Sequence, residues 1–385
     1  MTAPHGRRRA LRIAAAVTAA ALVALGILLW TAYRSLDSNI TTIDPSAGLG
    51  DVRPAKENQS INILAIGSDS REGANGLIGG ESPGLADTTL VVHLAADNSW
   101  AAAVSIPRDS MVQMPACFGP DGQLVPGALR QFNAAYPIGG PTCVQRTVEA
   151  LTGLRIDDFV VVDFVGFKEM VDAVGGVTVY IEAPISDPQS KIYFEPGCQT
   201  LDGKKALDYV RVRKGVQGGN GSDLGRIERQ QQFLAALARE VTSAGTLTNP
   251  LRLYTFLDAA TGSVTTSPGL GSIRSMASVA VRVRQIGLDR IEFTTVPVET
   301  YPPDPNRVQW AQPEADELWD LLRTDQPLTP PAPDPEPSAS GSPSGATRSP
   351  STPAKSSPAA TATGSPSPST SFDTTTADGP VCPTS

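Results

Sequence analysis

Arginines and aspartates recur in this chain wherever an apolar run ends. They stand in INILAIGSDSR (61–71), ADTTLVVHL (86–94), VSIPRDS (104–110), YVRVR (209–213) and SDLGRIERQQ (222–231). Only 18% of the residues are charged and the net charge is −8, so these cations do not belong to a diffuse polycation. A few cations and carboxylates at the ends of strands and helices suit a compact anion. The chemistry they point to is metal-assisted handling of a phosphate or pyrophosphate.

Arginine offers a planar fork that matches phosphate oxygens two at a time and keeps its charge at any relevant pH. Arg211 and Arg213 are two apart, so in extended backbone both would leave on one face. Arg226 falls in the first turn of a helix that Asp223 would cap, where unpaired N–H groups and the helix dipole favour an anion. Arg226, Arg229, Gln230 and Phe233 share one face of that helix by their i, i+3, i+4 spacing. Asp69 and Asp87 lie at strand ends and offer the hard oxygens that magnesium prefers. Each of these residues also has a plainer reading. The arginines could pair with Asp208 or Glu228, and the aspartates could serve turns or caps.

Other chemistries fit poorly. Ser68 and Ser105 lack a G-x-S-x-G setting, and His93 falls mid-strand, where a satisfied structural histidine is expected. No G-x-x-x-x-G-K-[ST] loop occurs. Aromatics make up 5% of the chain and no basic, aromatic-rich surface is visible, which argues against nucleic acid as a partner.

The elements that must position these residues follow from pattern. Strands are expected over 60–66, 89–94, 101–106, 159–163, 177–181 and 290–296, and helices over 144–151, 164–174, 201–209, 223–241 and 314–322. The strand–helix–strand passage from Phe159 to Ile181 argues for a layered α/β fold. Ile13 to Tyr33 are 21 uncharged positions, about 30 Å as a helix, enough to cross a bilayer core. Arg7, Arg8, Arg9 and Arg12 precede this stretch, so the positive-inside rule places the N-terminus in the cytoplasm and the rest outside. The expected organisation is a basic tail (1–12), a transmembrane helix (13–33), a linker (34–58), an extracellular domain (59–324) and a tail (325–385). That tail holds 14 of the 34 prolines and should be disordered.

Cysteine usage agrees with an exterior location. Cys117 and Cys143 bracket a Gly/Pro-rich loop and are expected to form a disulfide. Zinc is the rival, but there is no CxxC and the histidines are only His5 and His93. A bridge from Cys198 to Cys382 would tie the tail to the domain; no other role suggests itself for either.

The stretches NILAIGSDSR, ADTTLVVHL, VSIPRDS, FNAAYPIGG, TGLRIDDFVVVDFVGF, VDAVGGVTVYI, LDGKKALDYVRVR and DLGRIERQQQFL, in this order, closely resemble the LytR-CpsA-Psr family of cell-envelope proteins. The resemblance implies an α-β-α fold, with a mixed central sheet flanked by helices and an apolar lipid tunnel, behind one N-terminal transmembrane helix. It implies transfer of a glycopolymer phosphate from a polyprenyl-pyrophosphate carrier to peptidoglycan. It also assigns Asp69 and Asp87 to Mg2+, and Arg71, Arg108, Arg211, Arg213, Arg226 and Gln230 to the pyrophosphate. Arg108, Asp69 and Asp109 would be catalytic; Asp69 and Asp109 are the candidates for the general base, and neither is assigned that role. The Gly-rich insert between Arg71 and Asp87 is longer than in many members. A polyprenyl-diphosphate hydrolase and a non-catalytic lipid-carrier binder or regulator are the alternatives.

Overall fold

Alternating apolar residues along Ile61–Ser68 send Leu64 and Ile66 to one side of a sheet and Ala65 to the other. The computed structural model describes residues 5–50, 52–68, 84–188, 190–212, 223–243, 245, 248–329, 372–376 and 382. Its main sheet has eight strands, in the order Thr41–Thr42, Val264–Thr266, Asp158–Asp163, Ile61–Ser68, Ala86–Leu94, Ala101–Ser105, Ile291–Thr295 and Thr375–Thr376. Parallel and antiparallel pairs are mixed. Ile61–Ser68 runs parallel to Asp158–Asp163 and antiparallel to Ala86–Leu94, which in turn is antiparallel to Ala101–Ser105. Ala101–Ser105 pairs in parallel with Ile291–Thr295. Four strands therefore share one direction, and their carboxyl ends share one edge.

Helices cover both faces. Leu64, Ile66, Val104 and Phe159 pack with Val144 and Val148 of helix Ala135–Thr152 and with Leu318 and Trp319 of helix Glu314–Arg323. Leu90, Ala103 and Phe293 meet Leu234 and Ala235 of helix Asp223–Thr242 on the opposite face. A second core joins helices Phe164–Val174, Gly203–Arg211 and Asp223–Thr242 through Val171, Tyr209 and Phe233. The expected layered mixed sheet is what the chain forms. The expected strand Val177–Ile181 forms, paired antiparallel with Gly197–Leu201 outside the main sheet.

Helix His5–Asn39 contains the apolar stretch and continues beyond it; residues Leu11–Asn39 are long and apolar enough to cross a membrane. Its last turn docks on the domain. Leu36 is buried, Asn39 Nδ2 donates to Asp258 Oδ1 at 3.0 Å, and Asp37 Oδ1 accepts from the Ile273 amide at 3.0 Å. The expected linker thus begins as helix and enters the sheet through Thr41–Thr42. His93 is fully buried in the sheet, facing Asn62 Oδ1 at 2.7 Å and Asp325 Oδ1 at 3.0 Å, and stacks on Trp100. The folded core therefore passes the expected boundary at 324, and Leu328 is buried as well.

Disulfides join Cys117 to Cys143 and Cys198 to Cys382. The second returns the far end of the tail to the domain. Phe372 packs against the core around Trp319, and Thr375–Thr376 pairs with Glu292–Phe293 at the sheet edge.

The bond between Cys117 and Cys143, 26 residues apart, should stabilise the fold by roughly 3 kcal/mol in the chain-entropy model. A Cys117→Ala, Cys143→Ala double variant is expected to lose about that much in urea unfolding, and an unchanged midpoint would contradict it. Gln231 Nε2 donates to Ser105 Oγ and the Thr294 carbonyl, both at 2.9 Å, and so fixes helix Asp223–Thr242 to two strand ends. Gln231→Leu leaves those buried acceptors unmet and should cost about 1–3 kcal/mol, read as a lowered melting temperature.

Candidate active site

The site lies on the edge where the four like-directed strands end. Gly67 pairs with Thr88 but Ser68 pairs with Ala86, so Asp87 is the extra residue of a bulge. A bulge re-aims a side chain. Here the Asp87 carboxylate is turned into an ion pair with Arg108 Nη1; the two side chains are 17% and 11% exposed.

Arg108 follows strand Ala101–Ser105 through Pro107, which ends the ladder by lacking an N–H. The turn it occupies is pinned from several sides. The Ser110 amide donates to the Pro107 carbonyl at 3.1 Å, the Asn133 amide to the Arg108 carbonyl at 3.2 Å, and the Phe132 amide to the Ser110 carbonyl at 2.8 Å. Asp109 Oδ1 accepts from Gln131 Nε2 at 2.9 Å and from Arg307 Nη1 at 3.3 Å, and its Oδ2 lies 3.6 Å from Arg108 Nε.

Arg226 reaches the bulge from the helical layer. It is 2% exposed, and its Nη2 donates to the Asp87 carbonyl at 3.1 Å. Arg229 Nη2 donates to the Val212 carbonyl and Gln230 Nε2 to the Val210 carbonyl at 3.1 Å, capping acceptors that the end of helix Gly203–Arg211 leaves open. Burial lowers the Arg229 pKa, with Tyr209 and Glu228 opposing the shift, and pushes the Tyr209 phenol up.

Arg211 is the last residue of a helix, not part of an extended strand as the V-R-V-R alternation suggests. Ala206 and Tyr209 are buried in the second core, and that packing overrides the period-two pattern. Its guanidinium lies 4.3 Å from the centre of the Phe164 ring. Phe164 opens the helix after strand Asp158–Asp163, and Asp163 caps that helix by accepting from the Gly166 amide at 2.8 Å.

A cavity of about 830 Å³ opens beside these groups. Asp87, Asp163, Arg211, Arg226 and Gln230 line part of its wall. Leu90, Phe167, Met170, Phe233, Leu234 and Leu237 make much of the rest apolar. Arg108 does not line the cavity and reaches it through Asp87; Asp109 stands one step further back. Of the other expected site residues, Asp69, Arg71 and Arg213 lie outside the described residues. Asp163 and Phe164 are members of the wall that sequence reading missed. Their signal was an aspartate set directly between a β-branched run and helical spacing.

Among the described residues, no three His, Cys, Asp or Glu side chains converge as a ready metal cage. Magnesium needs fewer, commonly one or two carboxylates completed by substrate phosphate and water. The Asp87 carboxylate, a hard donor on the cavity wall, fits that demand.

The model of the LytR_cpsA_psr family matches residues 31–324. The chain is 34% identical over 292 residues to the probable cell wall biosynthesis protein LcpB of Corynebacterium glutamicum, covering 74% of this chain and 65% of that protein. It is 34% identical over 199 residues to the polyisoprenyl-teichoic acid–peptidoglycan teichoic acid transferase TagU of Oceanobacillus iheyensis, covering 50% of this chain and 55% of the relative. The matches thus span between about half and two thirds of these relatives' lengths. The crystal structure of Bacillus subtilis TagV superposes with a TM-score of 0.52 at 26% identity, over 71% of this chain and all of that one. With most of its length matched, including every described residue of the site, the chain is a member of the LytR_cpsA_psr family.

Proposed function

We propose that the protein transfers a glycopolymer phosphate from a polyprenyl-pyrophosphate carrier to peptidoglycan. The observation that carries this reading is the union of one largely apolar cavity of about 830 Å³ with an arginine-bearing polar wall at a shared edge of strand ends. An isoprenoid chain needs the first and its diphosphate the second. Two relatives are named as polyisoprenyl-teichoic acid–peptidoglycan teichoic acid transferases, which supports a polymer transfer of this kind.

In this reading the acceptor hydroxyl of peptidoglycan attacks the phosphorus that carries the sugar polymer. A new P–O bond forms, the bond to the bridging oxygen breaks, and polyprenyl phosphate leaves. Arg211 and Arg226 bind the diphosphate oxygens and stabilise the charge that gathers on the leaving phosphate. Arg108 fixes the Asp87 carboxylate and adds its own positive field. Mg2+, held by Asp87 and by Asp69, would neutralise the diphosphate as a Lewis acid. A base must reach the cavity to take the hydroxyl proton. Asp109 stands behind Arg108 with both oxygens engaged, which suits an orienting carboxylate better than a base.

Helix His5–Asn39 would anchor the chain, with Arg7, Arg8, Arg9 and Arg12 on the cytoplasmic side and the domain outside. Two disulfides accord with that exterior placement.

Purified full-length chain should join a polyprenyl-pyrophosphate-linked saccharide to peptidoglycan oligomers with Mg2+ present, and EDTA should abolish the product. Arg211→Ala and Arg108→Ala should each lower transfer by about 10²-fold or more. Arg211→Ala should keep a melting temperature near that of the wild type, whereas Arg108→Ala should lower it by leaving the Asp87 carboxylate unpaired. Full transfer by either variant would remove that residue from the diphosphate site. Undiminished diphosphate cleavage without the acceptor would replace the transferase by a hydrolase.

A further inference from the structure

Arg307 lies 198 residues from Asp109 in sequence, yet it stands in the same chain of contacts as the arginines that sequence reading brings together. Its Nη1 is 3.3 Å from Asp109 Oδ1, the oxygen that also accepts from Gln131 Nε2 at 2.9 Å. The other oxygen of Asp109 lies 3.6 Å from Arg108 Nε, and Arg108 in turn pairs with Asp87 on the cavity wall. Backbone bonds make the arrangement specific. The Val308 amide approaches the Asp109 carbonyl at 3.4 Å, and Ser110 bridges to Val308. The hairpin of Val298–Thr300 and Val308–Trp310 is thereby laid against the Arg108 turn.

We propose that Arg307 is a positioning residue for the diphosphate site, acting on Arg108 through Asp109. The physical reason is charge balance. Asp109 faces two guanidinium groups and one amide. With Arg307 in place its negative charge is shared, and Arg108 is held at one edge while its Nη1 stays on Asp87. Without Arg307, Asp109 has Arg108 as its only cationic partner, and Arg108 can be drawn off Asp87 toward it. Arg307 is about one third exposed and sits apart from the two large cores, so removing it spares the hydrophobic packing. Gln131 alone would keep Asp109 solvated but not neutralised. The identity of the ligand rests on the transferase reading; the relay rests on the contacts above.

The test is a double-mutant cycle on the full-length chain in lipid nanodiscs, reading the Kd for a synthetic polyprenyl diphosphate with Mg2+. Arg307→Ala should weaken binding roughly tenfold, the usual scale for losing a group that orients a binding residue. Arg108→Ala should weaken it at least as much, and adding Arg307→Ala to Arg108→Ala should cause no further loss. Arg307→Lys, which keeps a cation near Asp109, should recover most of the affinity. Wild-type affinity in Arg307→Ala would overturn the inference. So would an Arg307→Ala effect of equal size with and without Arg108, because Arg307 would then touch the ligand itself or act through general damage. Wild-type protein that fails to bind the diphosphate would sink the transferase reading, and this inference with it. Binding in which Arg307→Ala alone is silent would sink the relay only.

Discussion

The ion pair between Arg108 and Asp87 is the contact on which the arrangement of the site depends. Arg108 leaves the end of one strand and Asp87 the bulge at the start of its neighbour. Two nearly buried opposite charges repay their desolvation only when geometry is good and further hydrogen bonds complete them. Around the pair, Arg226 Nη2 donates to the Asp87 carbonyl at 3.1 Å, and Asp109 Oδ2 adds a second negative charge 3.6 Å from Arg108 Nε. Moving any of these elements would leave charge buried and poorly paired. The pair therefore couples the sheet edge, helix Asp223–Thr242 and the late hairpin into one unit.

The apolar half of the site has a different origin. Helices Phe164–Val174 and Asp223–Thr242 pack on the sheet and on each other through Phe167 and Phe233, whose ring centres are 5.3 Å apart. Those same two side chains line the cavity, so the packing that closes the second core also makes the cavity apolar. A ligand with a long apolar tail and an anionic head would meet both halves of this surface at once. The docked end of helix His5–Asn39, bonded to Asp258 and Ile273, joins the domain to the apolar stretch, which is long enough to cross a membrane.

Much of this was legible from local pattern. The spacing of Phe164, Phe167, Val171 and Val174 gave a helix with its true bounds, and Pro107 marked the turn that presents Arg108. Asp87, read as a magnesium ligand at a strand end, and Arg226, read as an anion holder in a first helical turn, both lie on the cavity wall. What stayed hidden depended on distant contacts. Arg211 read as extended because V-R-V-R alternates, whereas its conformation is set by Ala206 and Tyr209 packing into the second core. Arg307 and Gln131 carry no motif, and only the closing of the hairpin brings them to Asp109. The bridge from Cys198 to Cys382 was open to the sequence and is formed, but the packing of Phe372 was masked by a Pro/Ser/Thr-rich composition that suggests no structure.

The central claim is that one molecule occupies both halves of the site, its isoprenoid in the cavity and its diphosphate on the arginines. A crystal structure of the chain with a short polyprenyl diphosphate and Mg2+ tests it directly. The account predicts density for the isoprenoid between Phe167, Phe233 and Leu237, with the diphosphate against Arg211 and Arg226 and the metal on Asp87. A diphosphate bound away from these arginines, or an isoprenoid outside the cavity, would contradict it.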